Sequence, residues 1–266
     1  MRVIGICWEL SRVNIRSEMQ HRFAFITEVL FGLVYNSLGF LFMYVVLNQF
    51  NAIGTWTLGD VTLLYGIRLA GHGLWALAFA NSLSIDYYVQ QGEWDRLLIR
   101  PAPAFLQMMF INFRVAVFGD ALIGILVLAM GLSLTTIAWT PAKVVFFVAA
   151  IVGSAAIDGA FQVGPGALAF RHFSSESLRG NLDFLANQFG GYPLSILQGG
   201  TMYLLTYVIP LAFVAWVPGA VLLGRTSELP MPAWLAWSMP LLGVTLLWLA
   251  VRFFLRESRH YQSAGS

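Results

Sequence analysis

Long apolar runs separated by short polar segments, none alternating with period two, restrict this chain to one kind of architecture. Runs from about Ala24 to Asn48, Val61 to Ser84, Ala104 to Leu132, Ala142 to Pro165 and Ala233 to Leu255 all reach the roughly 20 residues that a helix needs to cross a bilayer. Inside a bilayer a backbone must satisfy its own hydrogen bonds, and only helices and closed barrels do so. A barrel would show short alternating strands. Charged residues make up 11% of the chain, against about 25% in soluble domains, and mean hydropathy is +0.73. The expectation is an all-α integral membrane protein. Its 9 Trp and 21 Phe suit the aromatic belts of membrane interfaces.

The remaining apolar stretch, Leu178 to Gly224, is harder to place. It is too long for one crossing and awkward for two, because no charged loop divides it. Gly190-Gly191, Pro193, Gly199-Gly200, Pro210 and Pro218 interrupt it. The reading is one crossing, followed by a re-entrant helix-turn-helix over about 206–224 that does not cross. Hydropathy starts that crossing at Pro193, since Asp183, Asn187 and Gln188 oppose an earlier lipid-facing start. With it the chain has six spans, forming a single transmembrane domain over 1–266. Gly164-Pro165-Gly166 is read as the breaker that ends the fourth span. Before the first span, Val3, Cys7, Leu10 and Val13 recur at helical spacing opposite Glu9, Arg12 and Arg16. That pattern predicts an interfacial helix over about 3–22, its cations toward anionic lipid. It does not read as a cleavable signal.

Six crossings put both termini on one side. To that side fall Arg2, Arg12, Arg16, Arg22, Arg96, Arg100, Arg171, Arg179, Arg252, Arg256 and Arg259. The other side receives Lys143 and Arg225, and Arg68 and Arg114 lie within spans; these are all 15 Lys and Arg. By the positive-inside rule the termini and the segment around Arg96 are cytoplasmic.

Charges inside spans usually face a bundle interior and mark function. Arg68, Asp120 and Asp158 are deep enough to favour a cavity or a buried pair. Glu28 and Arg114 are within snorkelling reach of an interface, so a structural role competes equally. In the second span Gly66, Ala70 and Gly73 have the spacing that lets helices approach closely. Cys7 is the only cysteine, and the four histidines are scattered, so neither a disulfide within the chain nor a metal site is expected.

Between the second and third spans lies Gly92-Glu93-Trp94-Asp95-Arg96-Leu97-Leu98-Ile99-Arg100-Pro101. As a helix this segment places Trp94, Leu97 and Leu98 on one face, with Glu93 positioned to pair with Arg96. Pro101 disfavours helix at Arg100 and ends it. The pattern Gly92-x-x-Asp95-x-Leu97-Leu98-x-Arg100-Pro101 resembles the cytoplasmic motif of type-2 ATP-binding-cassette permeases, in the branch with six spans and about 260 residues. Trp56-x-Leu58-x-Asp60 before the second span, and Tyr192-Pro193 followed by Pro210 and Pro218, extend the resemblance over most of the chain. It implies that about 92–100 is a coupling helix seated in a groove of an ATPase subunit. Gly92, Trp94, Asp95, Leu97, Leu98, Arg100 and Pro101 would then be the docking residues. It also implies a partner permease, identical or homologous, two ATPase copies and a bacterial cytoplasmic membrane.

The chain carries no Gly-rich phosphate loop followed by Lys-Ser or Lys-Thr, and no metalloprotease or serine-hydrolase motif. It is therefore not expected to be an enzyme; ATP and magnesium would belong to the ATPase, and nucleic acid is not an expected partner. The function so implied is the permease of an ABC exporter. The alternatives are a non-transporting scaffold or assembly protein, which would tolerate any polar loop at 92–101, and a secondary carrier, whose repeated half-structure is not visible.

Overall fold

The computed structural model describes Arg12 and residues 22–50, 52–111, 115–171, 174–197 and 199–262. Helix α1 (Arg22–Phe50) leads into a short hairpin of β1 (Ala52–Ile53) and β2 (Trp56–Thr57), with Ala52 opposite Thr57. Then come α2 (Leu58–Phe79), a 3-10 turn (Ala80–Ser84), α3 (Ile85–Gln90) and α4 (Glu93–Leu98). After them follow α5 (Ala104–Ile111), α6 (Ala116–Leu134) and α7 (Pro141–Gly166). Next are α8 (Glu176–Phe189), α9 (Gly200–Tyr203) and α10 (Trp216–Leu223). Short α11 (Ala233–Trp237) and long α12 (Met239–Glu257) complete the chain.

Among the described residues four helical stretches are long and apolar enough to cross a membrane: Phe25–Gln49, Ala116–Leu134, Pro141–Arg171 and Met239–His260. A fifth is added if α2 and the bent helix after it, at 61°, are counted as one span. The sixth expected crossing has no single helix. Between Glu176 and Trp237 the longest helix is α8, of 14 residues, about 21 Å at 1.5 Å per residue and short of the roughly 30 Å hydrocarbon core. Pro193, the Gly199-Gly200 pair and Pro210 interrupt the chain where it would have had to continue, each removing a helical donor or loosening the backbone.

The fourth span's α-helix ends at the expected Gly164-Pro165-Gly166: α7 runs through Pro165 to Gly166 and then tightens into a 3-10 turn over Ala167–Arg171. The Ala167 amide bonds the Val163 and Gly164 carbonyls, and such tightening is how a last turn satisfies its free carbonyls. The third span is described in two parts, α5 and α6. Arg114 lies between them, outside the described residues, as does most of the expected interfacial helix over about 3–22.

The small-residue reading of the second span holds. A Cβ on Gly66 would stand 2.5 Å from Leu128 Cα, and one on Gly73 2.8 Å from Ala121 Cα. The contact is reciprocal, since a Cβ on Gly131 would meet Leu63 Cα at 2.6 Å. Helices α2 and α6 thus touch backbone to backbone, and a larger residue there displaces main chain. Gly66→Leu is expected to cost at least about 3 kcal/mol, the upper end of ordinary overpacking, and to yield aggregated protein in gel filtration. Gly180→Leu, at an α8 position with open space around it, is the matched control and should elute normally.

Candidate functional site

The bundle has two distinct ends. At one, α3 and α4 pack with the ends of α7 and α12: Ile85, Tyr88, Trp94, Leu97, Phe105, Phe170 and Phe254 form one apolar cluster. The chain enters α4 through Gly92 at φ 72°, a left-handed conformation that costs other residues roughly 1–2 kcal/mol. The Gly92 carbonyl accepts from the Asp95 amide at 3.1 Å, closing the first turn.

Trp94 and Leu97 are both 2% exposed, and the Trp94 ring meets Phe170 and Phe254 edge-on at 5.1 and 5.8 Å between centroids. Leu98 is 56% exposed and Ile99 85%, and Arg100 and Pro101 lie outside with them. The expected common face of Trp94, Leu97 and Leu98 is therefore split. Helix α4 has only six residues, and as the chain turns away at Ile99 it leaves Leu98 on the outer edge. Gln107 fixes that turn, its Nε2 donating to the Leu97 carbonyl at 3.1 Å and the Ala102 carbonyl at 2.6 Å. Arg96 pairs with Glu93 at 2.9 Å, as their spacing predicts. Asp95 stands by the C-terminal segment: burial first, and its carboxylate second, push the Tyr261 hydroxyl above its ordinary value.

A buried lock ties this assembly to the start of α8. Asp86 accepts from the Ser175 amide at 2.8 Å and the Ser175 hydroxyl at 2.7 Å, and it pairs with Arg179. The Arg179 guanidinium also donates to the Ser82 and Leu83 carbonyls at 3.0 and 3.1 Å. Asp86, Ser175 and Arg179 are all buried, so Arg179, counted from sequence among the positive charges on the side of the termini, is a core residue. Close by, Arg171 makes a two-pronged pair with Glu257, joining the end of α7 to that of α12. Nothing in the sequence marks either partnership, because the residues lie 86 to 93 positions apart.

Midway along the bundle two of the three expected interior charges meet. Arg68 of α2 pairs with Asp158 of α7 at 3.1 Å, and both are buried. His72, one turn after Arg68, places Nδ1 3.3 Å from the same Asp158 oxygen. The rest of the guanidinium is used by α8: Nε donates to the Ala186 carbonyl at 3.4 Å and another nitrogen to Asn187 Oδ1 at 3.2 Å. A buried charge pair persists only when its remaining donors and acceptors are met, and here α8 meets them. Asp120 is apart from this pair, accepting from Asn36 Nδ2 of α1 at 2.7 Å. Between α1, α2, α6 and α8 lies a cavity of about 310 Å³ with Asp120, Asp183 and His72 in its wall. Glu28 is exposed on α1 and takes no part in the cavity wall.

The opposite end is organised around the region of Pro210 and Pro218. Residues 211–222 are wholly buried, as a helix apolar on every side must be. Its eight-residue α10 ends at Gly224, φ 73°, and Lys143 Nζ donates to the Leu222 carbonyl at 2.7 Å, a favourable place for a cation at a helix C-terminus. Arg225 pairs with Asp60 at 3.1 Å and Glu228 at 2.9 Å, and lies 4.6 Å from the centre of the Trp56 ring. Trp56 and Asp60, quoted above for the resemblance, thus hold the end of α10. Both cations assigned to the second side sit at this end.

A protein-family comparison matches residues 4–265 to the ABC-2 family transporter protein. No curated protein and no solved structure gives a match. A match over nearly the whole length, on a bundle of apolar helices with a buried ion pair in its core, settles the assignment: the chain belongs to the ABC-2 transporter family and is a membrane permease of an ABC transporter.

Proposed function

We propose that this chain is the permease subunit of an ABC exporter, moving a substrate out across the cytoplasmic membrane with ATP hydrolysed by a separate subunit. Two permeases, identical or homologous, work with two ATPases, and magnesium and ATP bind there. The observation that carries this reading is the tip at Leu98, Ile99 and Arg100: two large apolar side chains and a cation left exposed on a base made rigid by Trp94, Leu97 and Gln107. A surface of that kind suits a partner's groove, since apolar anchors give affinity and charge gives register. ATP-driven closure of the partner pushes on the tip, and the base passes the push to α7 and α12. The Asp86–Ser175–Arg179 lock carries it to α8, and α8 holds the interior Arg68.

In this reading the Arg-rich end is cytoplasmic, the chain crosses six times, and the region about 206–224 is re-entrant from the outer face. Single cysteines at Gly54 and Thr136 in a Cys7→Ser background are expected to react with an impermeant thiol reagent on intact cells, and one at Gln91 is not. Labelling at Gln91 alone would reverse the orientation. The functional reading is tested by affinity purification from native membranes, where an ABC ATPase should co-purify in a ratio of one per permease. A scaffold or a secondary carrier would come without it.

A further inference from the structure

Two buried polar atoms that no protein group satisfies lie beside the 310 Å³ cavity, which opens to the surface past Phe31 and Tyr35. Gln162 is 3% exposed and Trp75 4%, yet Gln162 Oε1 and Trp75 Nε1 have no hydrogen-bond partner. Leaving such atoms unpaired costs roughly 1–3 kcal/mol each, so an unmet acceptor and donor in one place point to a ligand. Both residues line a small pocket of about 10 Å³ together with Asp158, Asp183 and His72. That is the room of a single water, about 10–15 Å³, and equally of one ammonium group.

The small pocket shares His72, Trp75 and Asp183 with the 310 Å³ cavity beside it. The two therefore meet, and they differ in chemistry. The pocket offers acceptors: Gln162 Oε1, the Asp183 carboxylate and the Asp158 carboxylate. The cavity walls are apolar and aromatic, built from Phe31, Tyr35, Trp75, Ala76, Leu83 and Val117, with Asp120 in the wall. No Lys or Arg is among the described residues lining either space. The nearest cation, Arg68, is spent on Asp158, Asn187 and the Ala186 carbonyl, whereas Asp183 accepts from the neutral Asn187 amide at 3.1 Å.

We infer that this bipartite site binds an amphiphilic amine: a protonated primary ammonium in the small pocket, between Gln162 Oε1 and Asp183, with an aromatic or aliphatic body in the larger cavity. The ammonium supplies the donor that Gln162 Oε1 lacks and gives the Asp183 carboxylate a cation beside the neutral Asn187 amide. The body stacks on Trp75 and Tyr35, and a hydroxyl or ether oxygen on it would meet the Trp75 N–H. The inference rests on the transporter reading for its purpose and names the substrate class of that route.

The test uses three probes of one shape: 4-phenylbutylamine (cation), 4-phenylbutanol (neutral) and 4-phenylbutyrate (anion). Each is titrated calorimetrically into purified permease in lipid nanodiscs without the ATPase, and corrected for empty nanodiscs. The amine is expected to bind at least tenfold more tightly than the alcohol or the acid. Asp183→Asn should lower its affinity at least tenfold, and Asp183→Glu should retain it. Gln162→Leu should weaken the amine but not the alcohol. Glu228→Gln, at the far end of the bundle, should change nothing. The inference is overturned if no probe binds, if alcohol and amine bind equally, or if Asp183→Asn leaves amine binding intact. Recovery of the ATPase with Asp183→Asn permease is read separately, so loss of the amine site and loss of the transporter reading give different results.

Discussion

Asp158→Leu is expected to cost the permease about 3–5 kcal/mol of stability, because removing one partner of a buried ion pair leaves the other charge uncompensated. Arg68 would keep its bonds to the Ala186 carbonyl and Asn187 but would hold a positive charge in a low-dielectric interior with its carboxylate gone. The matching double variant, Arg68→Leu with Asp158→Leu, should be less harmful than either single one, since apolar replacement of a whole buried pair is often neutral or favourable. Thermal inactivation of the detergent-solubilised protein reads the difference. Over the time of such a scan the outcome is a rate as much as an equilibrium, so ranking the three variants is the secure readout. Singles and double equally mild would show that the pair is dispensable. Transport is expected to fail in the double variant even where the protein survives, because His72 would lose the acceptor that orients its ring over Trp75.

How much of this was legible in the sequence depends on the range of each interaction. Helix type and approximate span limits follow from composition and period, which are local properties, and α1, α2, α7 and α12 lie close to where hydropathy places them. The close approach of α2 was readable because Gly66 and Gly73 sit one turn pair apart on a single face. Its partner was not, because Gly131 belongs to another span. Charged residues inside apolar runs were visible as anomalies, yet the pairing of Arg68 with Asp158 spans 90 positions, and no local pattern encodes it.

Short elements fared worst. The face read for α4 needed Leu98 to continue a helix that stops at that residue. Pro165 was legible as a terminator because a proline interrupts a helix, and α7 does give way to a 3-10 turn one residue later, after Gly166. The stretch from Leu178 to Gly224 resisted reading because its length and its breakers contradicted each other. The structure resolves the conflict with several short pieces, of which the stretch 211–222 is wholly buried while α8 and α9 keep large apolar side chains such as Phe184 and Tyr203 exposed. Trp56 and Asp60 were noticed as part of a motif, but only the fold shows them gripping Arg225.

Removing the tip should have the other large effect, and on function alone. Leu98→Ala, Ile99→Ala and Arg100→Glu change exposed side chains, so permease stability should stay within about 0.5 kcal/mol of the parent. Trp94→Ala should behave differently: it empties the ring site between Phe170 and Phe254 and is expected to cost about 3–5 kcal/mol, as deletion of a buried aromatic side chain does. Gly92→Ala strains the left-handed entry to α4 and should fall between them. A tip variant that loses the ATPase while keeping the parent melting behaviour identifies a contact, whereas a base variant loses both together.

The measurement that bears most directly on the central claim is the affinity of the ATPase subunit for permease in nanodiscs, taken with its permease-stimulated ATP hydrolysis. Loss of an interface anchor costs about 2 kcal/mol or more, close to 30-fold in Kd. Combined Leu98→Ala, Ile99→Ala and Arg100→Glu is therefore expected to weaken binding at least 30-fold and to abolish stimulation. Arg256→Glu with Arg259→Glu, exposed charges at the same end of the bundle, should leave both nearly unchanged. Parent-level binding and stimulation by the triple tip variant would contradict the assignment of Gly92–Pro101 as the coupling helix.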